Sequence, residues 1–118
     1  MYIDHDVVRF REQPNHTYFE FKNEIVSLLE FNEYGFRGDW TSSAKTTAVV
    51  LGDSFVRGTL ADNTETLPAF LDRWSERSQY VNLGTNGHGT LQHYLTYLEF
   101  EGELEPAFVI LFCILEMT

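Results

Sequence analysis

The sequence is short of cations, of cysteine and of any long apolar run, and each shortage excludes something. Eight Lys and Arg stand against eighteen Asp and Glu, a formal net charge of −10. Phosphate backbones are gripped by clustered cations, so nucleic acid is excluded as a partner and an anionic membrane surface is disfavoured. The ordinary consequence of such a balance is solubility. The single cysteine, Cys113, forbids an internal disulfide and leaves the redox compartment open. Inside the apolar run 108–115 it reads as a small buried hydrophobe. No stretch is long enough to span a bilayer. The opening Met-Tyr-Ile-Asp-His-Asp lacks the basic and apolar regions of an export signal. Localisation stays open: cytoplasmic, or periplasmic if a segment precedes these residues.

What is present is a core. Apolar residues make up 43% of the 118 positions and aromatics 15%, enough for one small globular domain and too much for disorder. Residues 1–45 read as a lead-in. Its first sixteen residues carry mixed charge, two histidines and Pro14 without periodicity, and are expected to be irregular. Thr17 to Phe21 alternates, with Phe19 and Phe21 on one side and Glu20 on the other. With the apolar segment 25–31 it suggests a β-hairpin, although a helix over 24–31 also fits. Asn32 to Trp40, with Gly35 and Gly38 framing Phe36 and Arg37, reads as an ordered loop. Thr41 to Lys45 is a short polar connection.

Residues 46–118 read as strand, helix, strand, helix, strand. Thr46 to Leu51 is β-branched and apolar, as in a parallel strand covered on both faces. A helical turn is expected over 55–57, ending at Gly58. Thr66 caps a helix with Pro68 in its first turn, and Leu67, Phe70, Leu71 and Trp74 form a stripe expected to pack on the sheet. Tyr80 to Leu83 is a second strand and Ala107 to Leu115 a third. Between them Thr90 caps a helix with Leu91, Tyr94, Leu95 and Leu98 on one face, closed by Gly102 and Pro106. The expected fold is an α/β three-layer sandwich with a parallel sheet, flavodoxin-like.

Two turns stand out chemically. Gly52-Asp53-Ser54 ends the first strand, at the sheet edge where open α/β proteins bind ligands. Ser54 there can act as a nucleophile, with Asp53 bracing the turn, or the pair can merely cap the next helical turn. Asn82-Leu83-Gly84-Thr85-Asn86-Gly87 ends the second strand. Its glycine spacing differs from the dinucleotide fingerprint. In a parallel sheet it lies beside the first turn, so the Gly87 N–H can face the same point as Ser54. His88 follows directly and is close enough to meet a substrate. His5, His16, His88 and His93 are otherwise expected at the surface.

These blocks resemble the SGNH hydrolases, also called the GDSL-type lipase and esterase superfamily. Val49 to Phe55 resembles its first block, whose serine is the nucleophile. Asn82 to Gly87 resembles its second, whose last glycine donates a backbone N–H to the oxyanion hole. Asn32-x-x-Gly35-Phe36-Arg37-Gly38 is similar to the lead-in of many bacterial members. The resemblance covers about residues 30–115 and implies a serine esterase acting on acyl or O-acetyl esters of lipids, carbohydrates or small molecules. It calls for no cofactor and no metal. Its asparagine block after the third strand and its Asp-x-x-His block, which carries the base, have no counterpart in these 118 residues. The chain is therefore expected to be an incomplete, N-terminal portion and nearly inactive alone. A non-catalytic binding module with the same fold is the other reading. A third makes Asp53 a phosphoacceptor or metal ligand, against which stands the lack of a second acidic cluster. An apolar third strand without cover is also expected to seek a partner, by homodimerisation or aggregation through 108–115.

Overall fold

The computed structural model describes residues 2–5, 9–38, 40, 46–59 and 61–112. The lead-in is not irregular. Strands β1 (Tyr2–His5) and β2 (Arg9–Glu12) pair antiparallel, with Tyr2 opposite Glu12. Strands β3 (Thr17–Lys22) and β4 (Ile25–Glu30) form a second antiparallel ribbon. The two residues joining them, Asn23 and Glu24, have φ of 49° and 67°. Two positive φ values in a two-residue link match the primed hairpin turn whose twist suits antiparallel strands. That turn, and the pairing on either side of it, decides for strand over helix in 25–30. The ribbon turns Phe19 and Phe21 to solvent, while Tyr18 and Glu20 face inward.

Next come β5 (Thr46–Leu51), α1 (Ser54–Arg57), a 3-10 turn at Asn63–Glu65, α2 (Leu67–Trp74), β6 (Ser78–Asn82), α3 (Thr90–Leu104) and β7 (Phe108–Leu111). The last three strands form a parallel sheet in the order β6-β5-β7. β5 takes the centre, with Val49 opposite Val81 on one side and Val109 on the other. The protein is thus α/β, with a parallel sheet and crossover helices, as the pattern of elements requires.

Side chains alternate across a strand. Val49, Leu51, Val81 and Leu83 share one face and pack with Phe36 and Phe100 into the core. Phe100 of α3 meets Tyr34, Phe36 and Trp40 edge-on, at ring separations of 5.4–5.7 Å. The loop that carries those three aromatics is fixed by Asn32, whose Oδ1 accepts from Tyr34 N and Phe36 N at 2.9 and 3.1 Å. α2 lies against β6. Thr66 caps α2 by accepting from Ala69 N at 3.3 Å, and Pro68 sits in its first turn, as the sequence indicates.

Two expectations about apolar stripes are corrected. On α2, Trp74 is 86% exposed and Phe70 about half. On α3, Leu91, Tyr94 and Leu98 face solvent, and His93, Thr96 and Phe100 are the buried positions. That helix also runs through Gly102 to Leu104 and ends at Glu105, in the left-handed region at φ 44°. Among the described residues β7 is an edge strand, and Phe108, Val109, Leu111 and Phe112 are exposed. The readings of Thr41 to Lys45 and Cys113, and of the chain's last residues, fall outside the described residues. Among those described, no helix is long and apolar enough to cross a membrane.

Candidate active site

The chain leaves β5 through Gly52 and enters α1 at Ser54. A Cβ on Gly52 would run into Val56 Cγ2 of the next turn, so glycine is required by close approach. Asp53 is the N-cap: its Oδ1 accepts from Phe55 N at 3.1 Å, satisfying one of the amides a helix start leaves open. Gly58 ends the turn at φ 87° and donates its N–H to Ser54 O. Ser54 is thereby held at the carboxyl end of the central strand, partly exposed.

The turn after β6 is stitched to this one. Thr85 N donates to Gly52 O at 2.9 Å, continuing the sheet ladder beyond the strands. Asn82 Nδ2 donates to Val56 O at 2.9 Å, and Asn82 Oδ1 accepts from Gly84 N at 2.8 Å. A Cβ on Gly84 would collide with the Arg57 backbone, so this turn rests directly on α1. Two positions along, Asn86 leads into Gly87, which is exposed at φ 76°. The structure thus brings the Ser54 and Gly87 turns side by side.

The histidines differ from expectation. His88 and His93 are 6% and 5% exposed, not surface residues, and their rings lie 6.1 Å apart. Burial lowers the His93 pKa, and the nearby charge of Asp53 pulls it the other way. The His93 Nδ1 is buried and makes no hydrogen bond among the described residues. His93 therefore sits behind the Gly-Asp-Ser turn as a predominantly neutral imidazole at neutral pH.

Behind α1 lies a polar cluster that the sequence does not announce. Arg57, 1% exposed, places Nη2 at 2.6 Å from Oε1 of the equally buried Glu12 and at 2.5 Å from the Tyr18 hydroxyl. Glu20 Oε2 is 3.8 Å from its Nη1. Burial works against the Arg57 charge, but the hydrogen bond and charge of Glu12 lift its pKa above the ordinary value. Arg37 of the Gly-Phe-Arg loop donates to Arg57 O at 3.0 Å, Gly58 O at 2.7 Å, and Ala61 O. Burial and the neighbouring Arg57 lower its pKa to about 10, which still leaves it charged at neutral pH. The one signal available in the sequence was an arginine set in a glycine-framed loop. Glu12, whose partner lies 45 residues away, gave none.

A cavity of about 570 Å³ opens elsewhere, between α2, β6 and the loop, lined by Asn32, Arg37, Trp40, Asn63, Asp72 and Tyr80 among others. Ser54 does not line it. Much of its polar lining is already committed within the chain: Asn63 Oδ1 to Arg37 Nε and Asp72 Oδ1 to Tyr80 N. The buried Trp40 Nε1 in its lining makes no hydrogen bond among the described residues. Size alone therefore does not make it the site. No group of three or more His, Cys, Asp and Glu among the described residues has the arrangement of a metal site.

The fold and these turns define an α/β protein with a serine at the carboxyl edge of its sheet. No protein-family model matches the chain, and no curated protein matches it.

Proposed function

We propose that this chain carries the nucleophile half of an SGNH-type serine hydrolase acting on carboxylic esters. The observation that carries the reading is the stitching of the two turns through Thr85 N to Gly52 O, with Gly84 resting on Arg57. It sets Ser54 and Gly87 on adjoining turns at one end of the sheet. In this reading Ser54 Oγ attacks the ester carbonyl and loses its proton to a base, and the N–H groups of Ser54 and Gly87 hold the oxyanion. Collapse of the tetrahedral intermediate expels the alcohol and leaves an acyl-serine, which water hydrolyses. Asp53 braces the turn. His88, next to Gly87, stands on the substrate side but with little surface showing. The base is not assigned to a residue of this chain.

A second reading, a non-catalytic binding module of the same fold, is favoured by one observation: the 570 Å³ cavity lies away from Ser54. Ser54→Ala separates the two. In the full-length protein the substitution is expected to abolish turnover of p-nitrophenyl acetate. Unchanged turnover would remove Ser54 as nucleophile.

A further inference from the structure

The lead-in ribbon touches both turns of the candidate site, and it does so from one rung. Tyr2 and Glu12 are cross-strand partners in β1 and β2. Partners opposite one another in an antiparallel pair put their side chains on the same face. Glu12 takes the α1 side: its Oε1 accepts from Arg57 Nε at 3.1 Å and Nη2 at 2.6 Å. Tyr2 takes the other side: its hydroxyl is hydrogen-bonded to the Asn86 side chain, immediately before Gly87. The circuit closes through Thr59, which accepts from Arg57 Nη1 at 3.4 Å and donates to Asn86 Oδ1 at 3.5 Å.

From this circuit we infer that the Tyr2–Glu12 rung is a staple that sets the Gly87 amide relative to Ser54, making β1 and β2 part of the catalytic apparatus. Tyr2, Glu12, Thr59 and Asn86 are positioning residues, since they act through Gly87 and α1. The inference deepens the hydrolase reading and rests on it for its chemistry. The physical need is clear. Gly87 is exposed and has the backbone freedom of glycine, so an amide aimed at a developing oxyanion must be steadied by its neighbours. Asn86 is the adjacent residue, and it is held from two directions. A donor so steadied acts on the transition state more than on the bound ester, so loosening it lowers kcat and leaves KM alone.

The test uses full-length protein, p-nitrophenyl acetate, and the variants Tyr2→Phe, Asn86→Ala and Asn86→Asp. Each of the first two is expected to lower kcat about tenfold with KM unchanged, because the donor is loosened and not removed. Asn86→Asp keeps the acceptor oxygen and is expected to recover most of that loss. Because both residues act through one side chain, the double variant Tyr2→Phe/Asn86→Ala is expected to be no worse than Asn86→Ala alone. A second readout is independent of activity: the ¹⁵N heteronuclear NOE at Gly87, which reports fast backbone motion, is expected to drop in Tyr2→Phe and Asn86→Ala. An unchanged NOE, or a drop in NOE with unchanged kcat while Ser54→Ala is dead, overturns the staple and leaves the nucleophile standing. Retained turnover in Ser54→Ala instead sinks the hydrolase reading and the staple's catalytic role with it. The NOE then decides only whether the rung orders the turn.

Discussion

The two edges of the parallel sheet are treated in opposite ways. At the β6 edge a helix lies alongside, and the Asp72 carboxylate takes the outward Tyr80 N–H at 2.9 Å. At the β7 edge Phe108 is 60% exposed, and Val109, Leu111 and Phe112 are also open. The contrast extends further. Around the Gly-Asp-Ser turn charged and polar groups are buried as fully as apolar ones, namely Glu12, Arg37, Arg57, His88 and His93. Apolar character and burial are therefore uncoupled at both places. Charges are buried where partners from distant parts of the chain meet them. Apolar side chains stay exposed where no described element packs on them. The first condition fixes geometry, and fixed geometry is what the proposed chemistry at Ser54 needs.

The largest effect expected from breaking this contrast comes from the buried pair. Glu12→Ala leaves the Arg57 guanidinium buried with much of its compensation gone, a change that costs about 3–5 kcal/mol. Urea denaturation measures it. Replacing both partners with apolar residues of similar size, Glu12→Leu with Arg57→Met, is expected to restore most of the loss. A loss under about 1 kcal/mol in the single variant would show that the pair is not a buried anchor.

Two glycines give the next comparison. At Gly84 a methyl group meets the Arg57 backbone, which cannot swing aside, and Gly84→Ala is expected to cost about 3 kcal/mol and loosen the Gly87 turn. At Gly102, inside α3, a methyl group meets nothing within 4 Å. Gly102→Ala is expected to stabilise by about 0.5–1 kcal/mol, the ordinary helix preference for alanine. Thermal melts of the two variants should move in opposite directions, and movement in the same direction would discredit the close approach of the two turns.

How much of this was legible in the sequence depended on where each residue finds its partner. β5 was readable because Thr46 to Leu51 is β-branched or apolar without break, and it is buried on both faces from Thr47 on. The caps at Asp53, Thr66 and Gly58 were readable because their bonds reach only a few residues. β1 and β2 were not, since their organising contact joins Glu12 to Arg57 across 45 residues. On α3 two stripes compete, Leu91-Tyr94-Leu98 against His93-Thr96-Phe100, and hydrophobicity selects the wrong one. Thr96 bears burial because its hydroxyl donates to Gln92 O at 2.9 Å, and Phe100 closes onto the loop aromatics. The two turns were legible as glycine-bearing turns at strand ends, but the arginines behind them were not, because their bonds run to backbone carbonyls and to distant acids.

The smallest effect on stability belongs to the open edge. Val109→Lys on β7 is expected to change folding free energy by no more than about 0.5 kcal/mol, as for most exposed sites. It should nevertheless suppress self-association, since an uncovered apolar edge strand pairs readily and a lysine blocks that pairing. Light scattering across a concentration series checks this. A parent protein that stays monomeric at high concentration would contradict it.

Covalent labelling of Ser54 tests the central claim most directly. The full-length protein is incubated with a fluorophosphonate, which phosphonylates activated serines, and the modified peptide is mapped by mass spectrometry. The expected result is a single adduct on Ser54, absent from Ser54→Ala. No adduct, or an adduct on any other serine, would contradict the reading of this turn as the seat of a nucleophile.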